Sequence, residues 1–287
     1  MQERMMHRAK ELLETGRVTR VLGWRQGDFA NLTQPAFFTT TEQLDNLVYN
    51  EFCAANLSKY LIANAQQDGV TLVFLKPCDT YSFNLLLKEQ RIIREQVYVI
   101  GVTCNGKADF ESDEELLERC RVCTKTEHLV YDELIGQTDA TREANDRFKQ
   151  VLELEAEDSD ARYAFWQAEL SRCIRCNACR NICPSCHCKS CVFDNNKYDV
   201  QQKANATSFE EQMFHIIRAY HVAGRCTDCG ECSRACPQKI KLELLNRKFI
   251  KDINEFYGEY QAGADLTTLA PLASFDAHND KEVGDLC

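Results

Sequence analysis

One twelve-residue pattern occurs twice in this chain and limits its folding more than any other feature: Cys173-Ile-Arg-Cys176-Asn-Ala-Cys179-Arg-Asn-Ile-Cys183-Pro184 and Cys226-Thr-Asp-Cys229-Gly-Glu-Cys232-Ser-Arg-Ala-Cys236-Pro237. The chain has 17 cysteines in 287 residues, and eleven lie within Cys173–Cys191 and Cys226–Cys236. Disulfides account for them poorly, because the number is odd and no secretory signal is expected. The N-terminus, MQERMMHRAKELLETG, reads as an amphipathic helix stopped by Gly16, without an apolar h-region, so the expected location is the cytoplasm. No apolar run comes near the roughly 18 residues that span a bilayer. Net charge is 34 − 44 = −10, which counts against a nucleic-acid partner. The cysteines therefore call for metal.

Both copies read C-x2-C-x2-C-x3-C-P, the run of two-cluster ferredoxins. Three thiolates on a tight loop cap three iron corners of a cubane, and the fourth, entering a helix, points to the other cluster. The expected ligand sets are crossed. Cys173, Cys176, Cys179 and Cys236 would hold one [4Fe-4S] cluster, and Cys226, Cys229, Cys232 and Cys183 the second. Each proline keeps the chain from folding back over its site. Zinc prefers separated pairs in four-coordinate sites and is the weaker reading. Cys179-x3-Cys183-x2-Cys186 has radical-SAM spacing, but it would take ligands out of the ferredoxin run. Cys186, Cys188 and Cys191 read as buried small hydrophobes beside the clusters, or as part of another metal site that lacks an evident fourth ligand. His215 and His221 read as packed helix histidines.

The first 135 residues alternate strand-like and helix-like segments, which predicts an α/β domain with a mostly parallel sheet. Arg17–Trp24, Val70–Leu75 and Val97–Val102 read as strands, and Pro35–Thr40 as an extended piece. Helices are expected from Thr40 to Tyr49 by a Thr40/Gln43 capping box, and at Phe52–Gln66, Thr80–Glu89 and Glu114–Cys120, the last capped by Ser112 with Glu115. The domain reading is 1–138 for the α/β part, 139–172 for a charged helical connector, 173–260 for a small ferredoxin-like dicluster domain and 261–287 for a polar tail.

Four of the five cysteines in the α/β part stand out, which leaves Cys53 and Cys287 as outliers. Cys78 and Cys104 follow buried strands directly, and ligands bind beyond the carboxyl ends of adjacent parallel strands. Cys120-Arg-Val-Cys123 adds a pair nearby in sequence. Cys78, Cys104, Cys120 and Cys123 are thus candidate ligands of a third [4Fe-4S] cluster, with zinc or plain thiols as the alternatives.

Across residues 17–137 the chain resembles the beta-subunit family of the deazaflavin-coenzyme (F-420) hydrogenases and dehydrogenases. The resemblance rests on Pro35-Ala-Phe-Phe, Asn56-Leu-Ser-Lys-Tyr-Leu61, Lys76-Pro-Cys-Asp79, Arg91-Ile-Ile-Arg-Glu, Ile100-Gly-Val-Thr-Cys104 and Tyr131-Asp-Glu-Leu-Ile-Gly136. Similar proteins accompany formate dehydrogenases, hydrogenases and heterodisulfide-reductase-type modules. The resemblance implies FAD as a further cofactor, and passage of electrons between a partner subunit and a soluble carrier. No G-x-G-x-x-G loop follows a strand, which counts against a dinucleotide turn. No Ser/His/Asp arrangement, phosphate loop or paired-carboxylate signature stands out. The expected function is an iron-sulfur electron-transfer subunit working with other redox subunits of an anaerobic oxidoreductase complex. The alternative is a flavin-containing subunit that reduces or oxidises a deazaflavin, NAD(P) or ferredoxin directly.

Overall fold

The helical periodicity of the N-terminus holds in three dimensions. Helix α1 (Gln2–Glu14) buries Met5, Ala9 and Leu12 on one face, and Gly16, at φ +68°, ends it. A computed structural model describes residues 1–109, 112–136, 146–189, 191–194 and 209–273. The chain divides into two units, Met1–Asn145 with Gly263–Thr267, and Asp146–Ala262 with Thr268–Cys287.

The first unit is built on a six-stranded sheet, formed by β1 (Arg20–Gln26), β2 (Thr33–Phe38), β3 (Leu47–Val48), β4 (Thr71–Leu75), β5 (Val97–Val102) and β8 (Glu133–Ile135). A separate hairpin pairs β6 (Ala108–Asp109) with β7 (Ser112–Leu116). The sheet order is β2-β1-β4-β5-β8. Strands β1, β4, β5 and β8 run parallel, and β2 and β3 pair antiparallel with β1. All five residues of β4 are buried, as a parallel strand covered on both faces requires. The crossover from β4 to β5 is α2 (Pro77–Lys88), with Pro77 in its first turn. Gly101 of β5 allows a close approach, because a Cβ there would lie 2.5 Å from Leu134 and 2.9 Å from the His128 ring.

Three helices expected in this half are replaced. Thr40–Tyr49 forms a 3-10 turn at Gln43–Asn46 and then β3. The local cap exists, since Gln43 N–H donates to Thr40 Oγ1 at 3.4 Å, but pairing of Leu47 and Val48 with β1 overrides it. Phe52–Gln66 is irregular until Asn56, whose side chain accepts from Ser58 N–H at 3.0 Å and starts a 3-10 helix at Leu57–Asn64. Ser112–Leu116 pairs with β6, which leaves only the one-turn α3 (Glu118–Arg121) as helix.

In the second unit the charged stretch after residue 146 forms α4 (Lys149–Ala156) and α5 (Ser159–Ser171). They pack on α9 (Leu242–Tyr257) and α7 (Phe209–His221), respectively. Glu155 ties α4 to α9 through Lys248 at 2.9 Å and Lys251 at 3.0 Å. The unit also contains the four-residue helices α6 (Ala178–Asn181) and α8 (Glu231–Arg234). Residues 137–138 of the expected α/β part, 139–145 of the expected connector and 274–287 of the expected tail lie outside the described residues.

Candidate metal centres

The sequence duplication is also a backbone duplication. Arg175 and Asp228 occupy equivalent places in the two runs and have φ of 55° and 54°. Asn177 and Gly230, also equivalent, have 60° and 63°. These left-handed residues turn each loop tightly, and α6 and α8 begin directly after the second of them. The hydrogen bonds repeat too: Cys183 N–H donates to Arg180 C=O at 3.2 Å and Cys236 N–H to Ser233 C=O at 3.1 Å.

The fourth cysteine of each run sits among the thiols of the other run. Cys173, Cys179, Cys232 and Cys236 share one apolar cluster with Leu170, Ile240 and Leu242, covered by Trp166. Burial pushes the Cys179 thiol up, and Cys173, Cys236 and Cys176 act on it in the same direction. Burial also raises Cys229, with Cys183 and Cys226 among the neighbouring thiols that add to it. Cys232 is raised by burial and by Cys226 and Cys229. Free thiols here would stay protonated, and a metal would displace those protons. Protein N–H groups already point at sulfur, from Arg175 backbone to Cys173 Sγ at 3.3 Å and from the Asn246 amide to Cys232 Sγ at 3.4 Å. The segment between the runs is pinned next to the second one. Arg225 donates to Ser185 C=O and lies 3.0 Å from His187 Nε2. Cys188 is exposed, and Cys186 and Cys191 are half-buried. His215 is buried, whereas His221 is exposed at the end of α7.

In the first unit, Leu75 of β4 lies opposite Gly101 of β5, so Cys78 and Cys104 leave the sheet at one rim. Cys78 enters the first turn of α2. Burial raises its thiol well above the ordinary value, and Cys104 and Cys123 lie near enough to contribute. Cys123 is raised by burial and by Cys120 and Cys104. Cys120 Sγ accepts from Lys107 N–H at 3.4 Å, where the hairpin meets the rim. The four cysteines thus share one neighbourhood, while Cys53 is buried in the main core. Among the described residues, no three His, Cys, Asp or Glu side chains are gathered tightly enough to ligate a single ion.

Two lysines at this rim are absent from the sequence-based candidates. Lys76, 1% exposed, pairs with Asp79 Oδ2 at 2.8 Å, donates to Ala55 C=O at 2.9 Å and lies 4.5 Å from the Trp24 ring centre. Burial opposes its charge, but Asp79, Cys78 and Cys104 outweigh that and hold its pKa above the ordinary lysine value. Lys107 donates to Asn50 C=O at 2.8 Å and lies over the Tyr49 ring at 4.0 Å; burial lowers its pKa, with Cys104 opposing. The loops here, Lys76–Asp79 and Thr103–Lys107, hold thiols and buried ammonium groups with one glycine, Gly106. They therefore lack the glycine-rich turn of a Rossmann-type dinucleotide site.

Residues 169–240 match the family model of the 4Fe-4S dicluster domain. The chain carries such a domain. It is similar to the F420-dependent formate dehydrogenase subunit beta of Methanocaldococcus jannaschii, at 22% identity over 93% of each chain. It is also 30% identical over 109 residues to the F420-dependent formate dehydrogenase 1 subunit beta of Methanococcus maripaludis, covering 38% of this chain and 28% of that one. The family resemblance read from the sequence stands. Among the described residues no helix is long and apolar enough to cross a membrane.

Proposed function

We propose that the chain relays single electrons through two or three [4Fe-4S] clusters as the iron-sulfur subunit of an anaerobic oxidoreductase complex working in the cytoplasm. The crossed neighbourhoods of the two cysteine runs, inside a dicluster domain, carry this reading. Cys173, Cys176, Cys179 and Cys236 hold the first cluster, and Cys226, Cys229, Cys232 and Cys183 the second. Cys78, Cys104, Cys120 and Cys123 hold a third, for which the shared neighbourhood and the buried Lys76 and Lys107 are the support. A bound cluster supplies a one-electron couple whose potential follows net charge, hydrogen bonds to sulfur and solvent exposure. The protein contributes the rest: Trp166 and Leu170 exclude water from the first run, Asn246 and the Arg175 backbone donate to sulfur, and buried cations offset thiolate charge.

A relay needs a donor and an acceptor, so at least one end of it faces another redox subunit. Both relatives are named as beta subunits of F420-dependent formate dehydrogenases, which favours a formate-oxidising partner over the hydrogenase and heterodisulfide-reductase types. Native anaerobic purification, with metal and flavin analysis and mass measurement of the assembly, tests this. Co-purification with a catalytic subunit, eight to twelve irons per chain on the ligand sets above, and inactivity of the isolated chain are expected. A monomer that alone reduces a soluble carrier from formate, hydrogen or a nicotinamide would overturn it.

A further inference from the structure

The side chain of Arg218 is buried inside the dicluster unit. It is 1% exposed, and among the described residues none of its three guanidinium nitrogens has a hydrogen-bond partner. A guanidinium cannot shed its proton, and an isolated buried cation is among the most costly things a protein can hold. It must therefore face an anion. Of the other buried charges nearby, Glu231 pairs with Arg234 at 2.8 Å and Arg247 with Asp228 at 2.9 Å, and the Glu243 carboxylate, which acts on Cys232, is not among the groups that act most strongly on Arg218. What surrounds Arg218 is sulfur. Cys232, Cys179, Cys183 and Cys186 all favour its charge, and Arg218 in turn draws the Cys179 and Cys232 thiols down against their burial.

Those cysteines do not belong to one run. Cys179 comes from the first set, and Cys183 and Cys232 from the second, so one guanidinium with five N–H donors lies within electrostatic reach of both. His215, one turn earlier on α7 and also 1% exposed, adds no second charge: burial, with Arg218 and Arg175 beside it, lowers its pKa to about 3.

We infer that Arg218 is the shared buried counter-charge of the two cluster-ligand sets, donating to thiolates of both and holding both clusters at a higher reduction potential than their thiolates alone would give. The inference rests on the ligand assignment above. The physical reason is that reduction adds negative charge to an already anionic thiolate set, and a fixed cation in a low-dielectric interior favours the more negative state. Because the same guanidinium faces both sets, it acts on both potentials, and its fork geometry matters beyond its charge. Arg218 is a positioning residue in this role and needs no contact with any substrate.

The test is a potentiometric titration of the full-length protein followed by electron paramagnetic resonance, with iron and sulfide counted in each sample, on wild type, Arg218→Gln, Arg218→Met and Arg218→Lys. Both dicluster midpoints should fall in the neutral variants by at least about tenfold in the reduction equilibrium, 59 mV for a one-electron couple. Arg218→Lys, which keeps the charge, should lie between them and wild type. Fully loaded neutral variants with unchanged midpoints, or a shift confined to one cluster, would overturn the inference. If both neutral variants lose iron while Arg218→Lys retains it, the buried charge is needed for loading and the inference holds. Loss of iron in Arg218→Lys as well would mean that shape and not charge is at work, and would overturn it. Wild type without eight dicluster irons would instead refute the ligand assignment, so the two failures are distinguishable.

Discussion

The two units bury their thiols in opposite ways. In the first, 26 buried residues form the core, of which Cys53 is the one cysteine, and the four rim thiols are appended to a scaffold that is complete without them. In the second, four of the seven buried residues of the cluster around the runs are cysteines. Around the runs sulfur is most of the packed interior, so metal and local fold are one problem there and two problems in the first unit.

The sharpest way to break that contrast is to strip the iron. Structural metal sites contribute on the order of 10 kcal/mol to folding, comparable to the whole stability of a domain. Hydrogen exchange on the full chain after chelation should show α6, α8 and α9 unprotected while β4 and β5 stay protected. Protection that survives in α8 and α9 without iron would erase the distinction. The converse is Phe74→Ala in the fully buried β4, expected to cost the first unit about 3–5 kcal/mol and leave the dicluster resonances in place. Thermal unfolding followed by exchange at β4 measures it.

A finer cut is Cys104→Ser. About four irons per chain should be lost, with the dicluster signals and sheet protection unchanged. An unchanged iron count would leave the rim cysteines as ordinary thiols. Smallest is a pH effect on the edge of the sheet. Arg8 Nε donates to Glu133 Oε2 at 2.8 Å, joining α1 to β8, and this hydrogen bond holds the Glu133 pKa below 4.5. A depressed folded-state value means that the stabilisation is complete above about pH 4.5 and is lost as pH falls through the lowered value. The pair is partly exposed, so about 0.5–1 kcal/mol is at stake. Glu133→Gln should flatten the acid limb of the first unit's unfolding curve, and an identical acid limb would remove the pair from consideration.

What the sequence disclosed follows the same division. The runs are legible because cubane ligation needs cysteines at fixed short spacing, and β4 and β5 because a buried parallel strand is a continuous apolar run. Cys78 and Cys104 follow from that placement. The helix through Thr40–Tyr49 was misleading because a cap is local, whereas the pairing of β3 with β1 depends on residues more than twenty positions away. Lys76, Lys107 and Arg218 were missed because a charged residue reads as surface until its partners are known. Arg218 did leave a trace: Phe214, His215, Arg218 and Ala219 form one buried stripe on α7, and the arginine interrupts it.

Gly263–Thr267 belongs to the first unit although both cysteine runs lie between it and the rest of that unit. Asn84 of α2 donates to Gly263 C=O at 3.1 Å, and a Cβ at Gly263 would fall 1.9 Å from Tyr81 C=O, so this return segment fits against α2 closely. During synthesis the ribosome must therefore produce both runs before the first unit has all its parts. The nascent chain presents its cysteines to iron delivery while its oldest portion is still unfinished, and the returning loop of the first unit closes only after the opportunity for metal loading has begun.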